Sequence, residues 1–134
     1  MHTSRLAWLL TPLAIAIIAA SSSGTVSFTS SQMQKGERQF AQSCATCHGE
    51  QLEGGAGPAL TGPNFKTLGK KVGARVGDVF TYMSTNMPLN EPASLSHDQY
   101  VNIMAFILSK NGYKPGKSAL TYAGAENSRA PIIK

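Results

Sequence analysis

The chain has 134 residues, of which 42% are hydrophobic and 14% charged, and twelve Lys and Arg against seven Asp and Glu give a formal net charge of +5. That length fits one compact domain, and no internal period points to a repeat array. The basic excess is mild and lacks the interleaved aromatic residues on which bases stack, so nucleic acid is set aside as a partner.

Arg5 precedes an uncharged apolar run from Leu6 to Ala20, and small polar residues follow from Ser21 to Gly24. This is the order of a secretory signal peptide, expected over residues 1–24, and it implies export to the periplasm. The apolar run is 15 residues long and contains Pro12, short of the roughly 20 that a spanning helix needs. Cleavage after Ala20, Ser22 or Gly24 is favoured over a membrane anchor, and only an uncleaved segment would touch the membrane. Removal takes away Trp8 and Arg5, leaving eleven basic and seven acidic residues, a net +4. Lys66, Lys70, Lys71 and Arg75 lie within ten positions. They form either a face that steers an acidic partner or a solvated loop.

Three helices follow from periodicity and caps. Ser31-Gln32-Met33-Gln34 has capping-box spacing and opens a helix over Met33–Ser43, with Phe40 one turn before Cys44. Val79, Phe80 and Met83 mark a second, from about Gly77 to Thr85. Ser96-His97-Asp98-Gln99 is another capping box, after which Tyr100, Ile103, Met104, Ile107 and Leu108 recur at helical spacing until Asn111-Gly112 ends the helix. The glycine-rich stretch 49–76 and the segment after Gly112 are expected to be loop and irregular tail. Three short helices leave a small apolar core for such a chain, which suggests loops wrapped around a cofactor.

Residues 44–48 read CATCH. On one helical turn Cys44 and Cys47 share a face and His48 projects beside them. Two thiols can form thioethers with a haem while the adjacent imidazole reaches its iron, and C-x-x-C-H is the pattern of c-type haem attachment. A disulfide between Cys44 and Cys47 would leave His48 unexplained, and a zinc site lacks further ligands at the required spacing.

With His48 on the iron, the occupant of the sixth position decides function. The candidates are Met33, Met83, Met87, Met104 and His97. Met104 and Met83 lie on apolar helix faces, Met33 lies beside a cap, and His97 fits an exposed helix start. Met87 precedes Pro88, which pushes it out of the helical region and presents its side chain from a loop. Met87 is therefore the expected ligand. An open or labile sixth position would instead give a haem enzyme of peroxidase-like type or a gas sensor.

These residues resemble the class I monohaem cytochromes c, over Gln34 to about Gly112. Gly36, Phe40, Ile103 and Phe106 match the positions where that family packs its first and last helices. Gly57-Pro58-Ala59-Leu60 is similar to the family loop whose proline carbonyl accepts a hydrogen bond from the proximal histidine, here Pro58 and His48. The resemblance implies an all-α, cytochrome c-type fold around one covalent haem c, with a cytochrome domain over 25–112 and an irregular tail over 113–134. It implies an electron carrier rather than an enzyme. Val79–Met83, Asn86-Met87-Pro88, Ser94–Ser96 and Ala105–Leu108 look closest to the small cytochromes that accept electrons from bacterial quinoprotein dehydrogenases. The implied partners are such a dehydrogenase and a terminal oxidase or another cytochrome, with a dedicated dehydrogenase subunit as a further reading. One departure is Leu68, where that branch commonly carries a tryptophan near a haem propionate.

Overall fold

The computed structural model describes residues 25–134, so the expected signal peptide lies outside the described residues. Among these residues six helices appear in chain order: α1 (Ser30–Ser43), α2 (Ala45–His48), α3 (Gly62–Val72), α4 (Val76–Asn86), α5 (His97–Lys110) and α6 (Tyr122–Glu126). Among the described residues the extended pairing consists of one isolated antiparallel bridge, Arg75 with Pro131. No described helix is long and apolar enough to cross a membrane.

Helix α1 starts three residues earlier than its expected first residue, Met33. Its N-cap is Thr29, whose hydroxyl accepts from the amide of Gln32 while the Gln32 side chain accepts from the amide of Thr29. Two overlapping capping boxes are written in the sequence, and burial selects between them. Phe28, just before the cap, is fully buried, and Met33, at the fourth helical position, packs against the same core. These are the two positions of a hydrophobic staple, which fixes how the chain enters the helix. Helix α5 begins as expected, with Ser96 and Gln99 closing a capping box.

The crossing of α1 and α5 is the centre of the fold. A Cβ at Gly36 would overlap the carbonyl oxygen of Asn102 and stand 3.0 Å from the Cβ of Phe106. One turn on, the rings of Phe40 and Phe106 pack with centroids 5.5 Å apart, tilted by 55°. Only glycine lets the two backbones approach this closely, and the approach places aromatic rings in contact beside it. Nine consecutive residues of α5, Tyr100 to Leu108, are buried. A helix buried on every side needs neighbours on every side.

Two expected loops are helical. Within 49–76, residues Gly62–Val72 form α3, with Pro63 in its first turn and Gly73 as a left-handed C-cap at φ 62°. Proline and glycine punctuate the ends of this helix, which is why their abundance reads as loop when counted without position. Gly69, inside α3, is buried against Ile132 and Ile133. The tail expected to be irregular carries α6 and contributes Leu120, Ala125, Ala130 and Ile132 to the core. It is tied down by backbone bonds from Val76 to Ala130 (2.9 Å), Gly77 to Ser128 (3.0 Å) and Ile132 to Ala74 (3.0 Å). The Gln32 side chain both donates to the Leu120 carbonyl (2.8 Å) and accepts from its amide (2.9 Å). The protein core is thus larger than three helices alone would supply.

Gly36→Ala should cost about 2–3 kcal/mol despite its gain in helix propensity, because backbone and not a flexible side chain blocks the new methyl group. Gly69→Ala should be close to neutral: the nearest obstacle is the mobile end of Ile133, 2.8 Å away, and the propensity gain of about 1 kcal/mol offsets the adjustment. Denaturant midpoints of the two variants check the contrast.

Candidate functional site

Helix α1 ends at Cys44, whose amide bonds to the Phe40 carbonyl at 2.8 Å, and Cys44 then serves as the start of α2. The short helix brings Cys44, Cys47 and His48 onto one turn, closed by bonds from Cys47 and His48 back to the Cys44 carbonyl at 3.1 and 3.0 Å. Gly49, at φ 80°, ends the turn. Both thiols are free; Cys44 is half-buried and Cys47 exposed. Burial, and secondarily the neighbouring Cys47, push the Cys44 thiol up to about 11.

The following loop folds back on the turn. Gly57 bonds to the Cys47 carbonyl at 2.8 Å, Gly54 to the His48 carbonyl at 2.7 Å and Leu60 to the Leu52 carbonyl at 2.9 Å. Leu52 is fully buried at φ 61°, in the left-handed region. The loop thereby delivers the Pro58 carbonyl to Nδ1 of His48 at 2.7 Å. A carbonyl can only accept, so Nδ1 carries the proton and Nε2 keeps its lone pair. A Cβ on Gly57 would stand 3.0 Å from Cε1 and 3.1 Å from Nδ1 of this ring, so the absence of a side chain there gives the imidazole its place. The exposed Glu53 accepts from the Gln51 amide at 2.7 Å and stiffens the loop.

Met87 lies on a different segment. It is the C-cap of α4, extended at φ −116° and ψ 151° as the following proline requires. Its peptide bond to Pro88 is cis. The side chain is half-buried against the core cluster, which Cys44, Ala45, Leu60, Phe65 and Leu95 also border. The Tyr100 hydroxyl donates to the Met87 carbonyl at 2.6 Å and accepts from the Leu95 amide at 3.4 Å, so one buried side chain holds both ends of the loop. On the other loop, the Asn111 amide group donates to the Leu60 carbonyl at 2.8 Å and to Ile107 at 2.9 Å.

Neither Tyr100 nor Asn111 was found as a site residue from sequence. Tyr100 reads as one position of an apolar stripe and Asn111 as a C-cap; for Tyr100 the signal available is a hydroxyl on a residue predicted to be buried, and for Asn111 there is none. The rival ligands have other places. Met104 is fully buried, Met83 is buried at 8% exposure, and Met33 packs against the core. His97 is exposed and stacks on Tyr122, with ring centroids 3.9 Å apart and 24° between planes. Leu68 is 57% exposed on α3.

The residues present fit the expected prosthetic group. Two unpaired thiols lie on one helical turn, an imidazole is fixed through Nδ1 with Nε2 free, and partly buried apolar side chains border both segments.

The sequence profile of the family described as cytochrome c oxidase, cbb3-type, subunit III matches residues 31–107, more than half of the chain. Among solved structures, a chain of the sulfane dehydrogenase SoxCD from Paracoccus pantotrophus is similar at a TM-score of 0.56 and 28% identity. The likeness covers 74% of this chain and 53% of that one, so this chain spans about half the length of its structural relative.

Tyr100→Phe removes one donor and leaves the Leu95 amide without its acceptor. It should cost about 1–2 kcal/mol. Faster amide hydrogen exchange confined to residues 87–95 is the expected signature; exchange raised uniformly along α5 would mean general destabilisation instead.

Proposed function

The chain belongs to the family of cytochrome c domains described for cbb3-type oxidase subunit III and carries haem c, and on that premise we propose that it is an exported carrier of single electrons between redox proteins. In this reading Cys44 and Cys47 would hold the haem covalently, and His48 and Met87 would bind its iron. The observation that carries this reading is the 2.7 Å bond from Nδ1 of His48 to the Pro58 carbonyl. It presents Nε2 as a permanently oriented ligand and raises its basicity.

When bound, the haem would supply a one-electron couple, and a methionine ligand together with histidine would raise its reduction potential. The protein's part is to keep geometry constant. Pro58 holds the imidazole, Tyr100 and Pro88 hold the Met87 segment, and the buried α1–α5 pair holds both loops. Two protein ligands leave no site for a substrate. The exposed Cys47 and the exposed Leu89, at 74%, suit a small, transient protein contact.

The partners proposed are a dehydrogenase as electron donor and an oxidase or second cytochrome as acceptor. Similarity to a chain of a sulfane dehydrogenase supports a dehydrogenase as donor. The resemblance of Val79–Met83 and Asn86-Met87-Pro88 to quinoprotein-linked cytochromes narrows it to that class. The run Leu6–Ala20 supports export with cleavage near residue 24, leaving the cytochrome in the periplasm.

Haem should remain on the protein through acid-acetone extraction and denaturation, and Cys44→Ala with Cys47→Ala should release it; extraction from the wild-type protein would refute thioether attachment.

Met87→Ala should abolish the weak far-red band of a methionine-to-iron bond in the ferric protein, lower the potential, and let the ferrous protein bind carbon monoxide. Met83→Leu and Met104→Leu should keep the band at a cost below about 1.5 kcal/mol. A band that survives Met87→Ala, or rapid carbon monoxide binding by the wild type, would replace the carrier by a haem enzyme or sensor.

A further inference from the structure

Two depressions share Arg75 and Arg129 on the side of the molecule where the tail meets α3 and α4. The larger, of about 850 Å³, also carries Asp78 and Glu126, so two cations face two carboxylates. The smaller, of about 370 Å³, adds Lys70 and has no acidic residue in its lining. Its floor is apolar, built from Ala74, Ile132 and Ile133. From Lys66 to Gly77 the sequence contains four cations and no carboxylate, and the three lysines of α3 are all exposed.

We propose that this smaller groove docks an acidic segment of a partner protein, an inference that rests on the carrier reading and adds a docking site that the tail completes. Charge complementarity commits it to an acidic occupant. On the side of this groove the cations Lys70, Arg75 and Arg129 stand with no carboxylate among them, and Asp78 and Glu126 flank the arginines only from the neighbouring depression, so a positive field faces the groove that a row of carboxylates relieves. Two are arginines, whose planar guanidinium groups bind carboxylates with two parallel hydrogen bonds.

The groove is also built rather than fortuitous. Backbone bonds from Val76 to Ala130, Gly77 to Ser128 and Ile132 to Ala74 fix the segment carrying Arg129 beside the one carrying Arg75. Gly69 closes α3 onto the floor, where a Cβ would meet Ile133 at 2.8 Å and Ile132 at 3.3 Å. The guanidinium groups thus spring from a framework that needs no rearrangement on binding, which lowers the ordering cost. An apolar floor offers nothing to a simple inorganic anion. It suits a peptide that alternates acidic and apolar side chains.

The test uses the reduced holoprotein and a synthetic peptide of six glutamates interrupted by two leucines, followed by amide chemical shifts at about 150 mM salt. Shifts should cluster on Gly69, Gly73, Ala74, Ile132 and Ile133. Arg75→Gln with Arg129→Gln should weaken binding about tenfold, whereas Lys114→Gln with Lys117→Gln, an equal loss of charge at exposed positions elsewhere, should change it less than twofold. Equal loss in both double variants, shifts scattered over the surface, the same shifts with sodium sulfate, or arginine-dependent binding to phosphatidylglycerol vesicles without binding to the peptide would each overturn the proposal. The visible spectrum of each variant reports the haem environment independently. A carrier-like spectrum with no groove binding refutes the docking site alone, whereas loss of methionine ligation in the wild type refutes the carrier reading.

Discussion

The backbone contact between α1 and α5 at Gly36 is the constraint on which the other features depend. Because the Asn102 carbonyl occupies the space a side chain would take, the two helices have one mutual position. The C-terminal end of α1 then fixes Cys44, and through it the turn that carries Cys47 and His48. Helix α5 distributes the same rigidity in two directions: Tyr100 near its start holds the Met87 segment, and Asn111 at its end holds Leu60. Both loops that border the site are therefore referred to a single pair of helices. For the proposed carrier such rigidity would be an advantage, since a preorganised site needs little rearrangement when its charge changes.

The histidine shows how a small loop can set electronic properties. A neutral carbonyl acceptor, rather than a carboxylate, orients the Nδ1 proton without adding a negative charge beside the site. The loop achieves this through successive backbone bonds, with Gly54 at φ 90° and Leu52 at φ 61° taking conformations that the ladder of contacts requires. Leu52 accepts the left-handed geometry because its side chain is wholly buried, and burying a leucine returns roughly 1.5–3 kcal/mol.

The tail gives the fold a second layer of constraint. It crosses from the start of α1, where Gln32 grips Leu120, to the start of α4, where Ser128 and Ala130 accept backbone bonds. In doing so it covers apolar surface that α4 and α5 would otherwise expose and carries Arg129 to Arg75. Structural closure and the electropositive groove thus arise from the same segment.

The sequence by itself determined the haem-attachment turn, the extended loop at Met87, and both ends of α5, because each depends on residues within a few positions of one another. Spacing places Cys44, Cys47 and His48 on one helical turn, Pro88 restricts Met87, and the Ser96 box and Asn111 close α5 through local hydrogen bonds. Val101, Ala105 and Phe106 widen the apolar face of α5 beyond a single stripe, which also points to burial on more than one side. Only the tertiary structure decided the true start of α1, the helicity of Gly62–Val72 and the order of the tail. Thr29 prevails over Ser31 because Phe28 is buried by distant residues, Gly69 is favoured inside a helix because Ile132 and Ile133 pack on it, and α6 is held by the packing of Tyr122 on Phe80 and by bonds from the start of α4 to Ser128 and Ala130 just beyond it. The roles of Tyr100 and Asn111 belong to the same class: their acceptors, Met87 and Leu60, lie 13 and 51 positions away. Local propensity specifies geometry over one turn of chain, whereas a hydrogen bond between remote segments exists only after the core has brought them together.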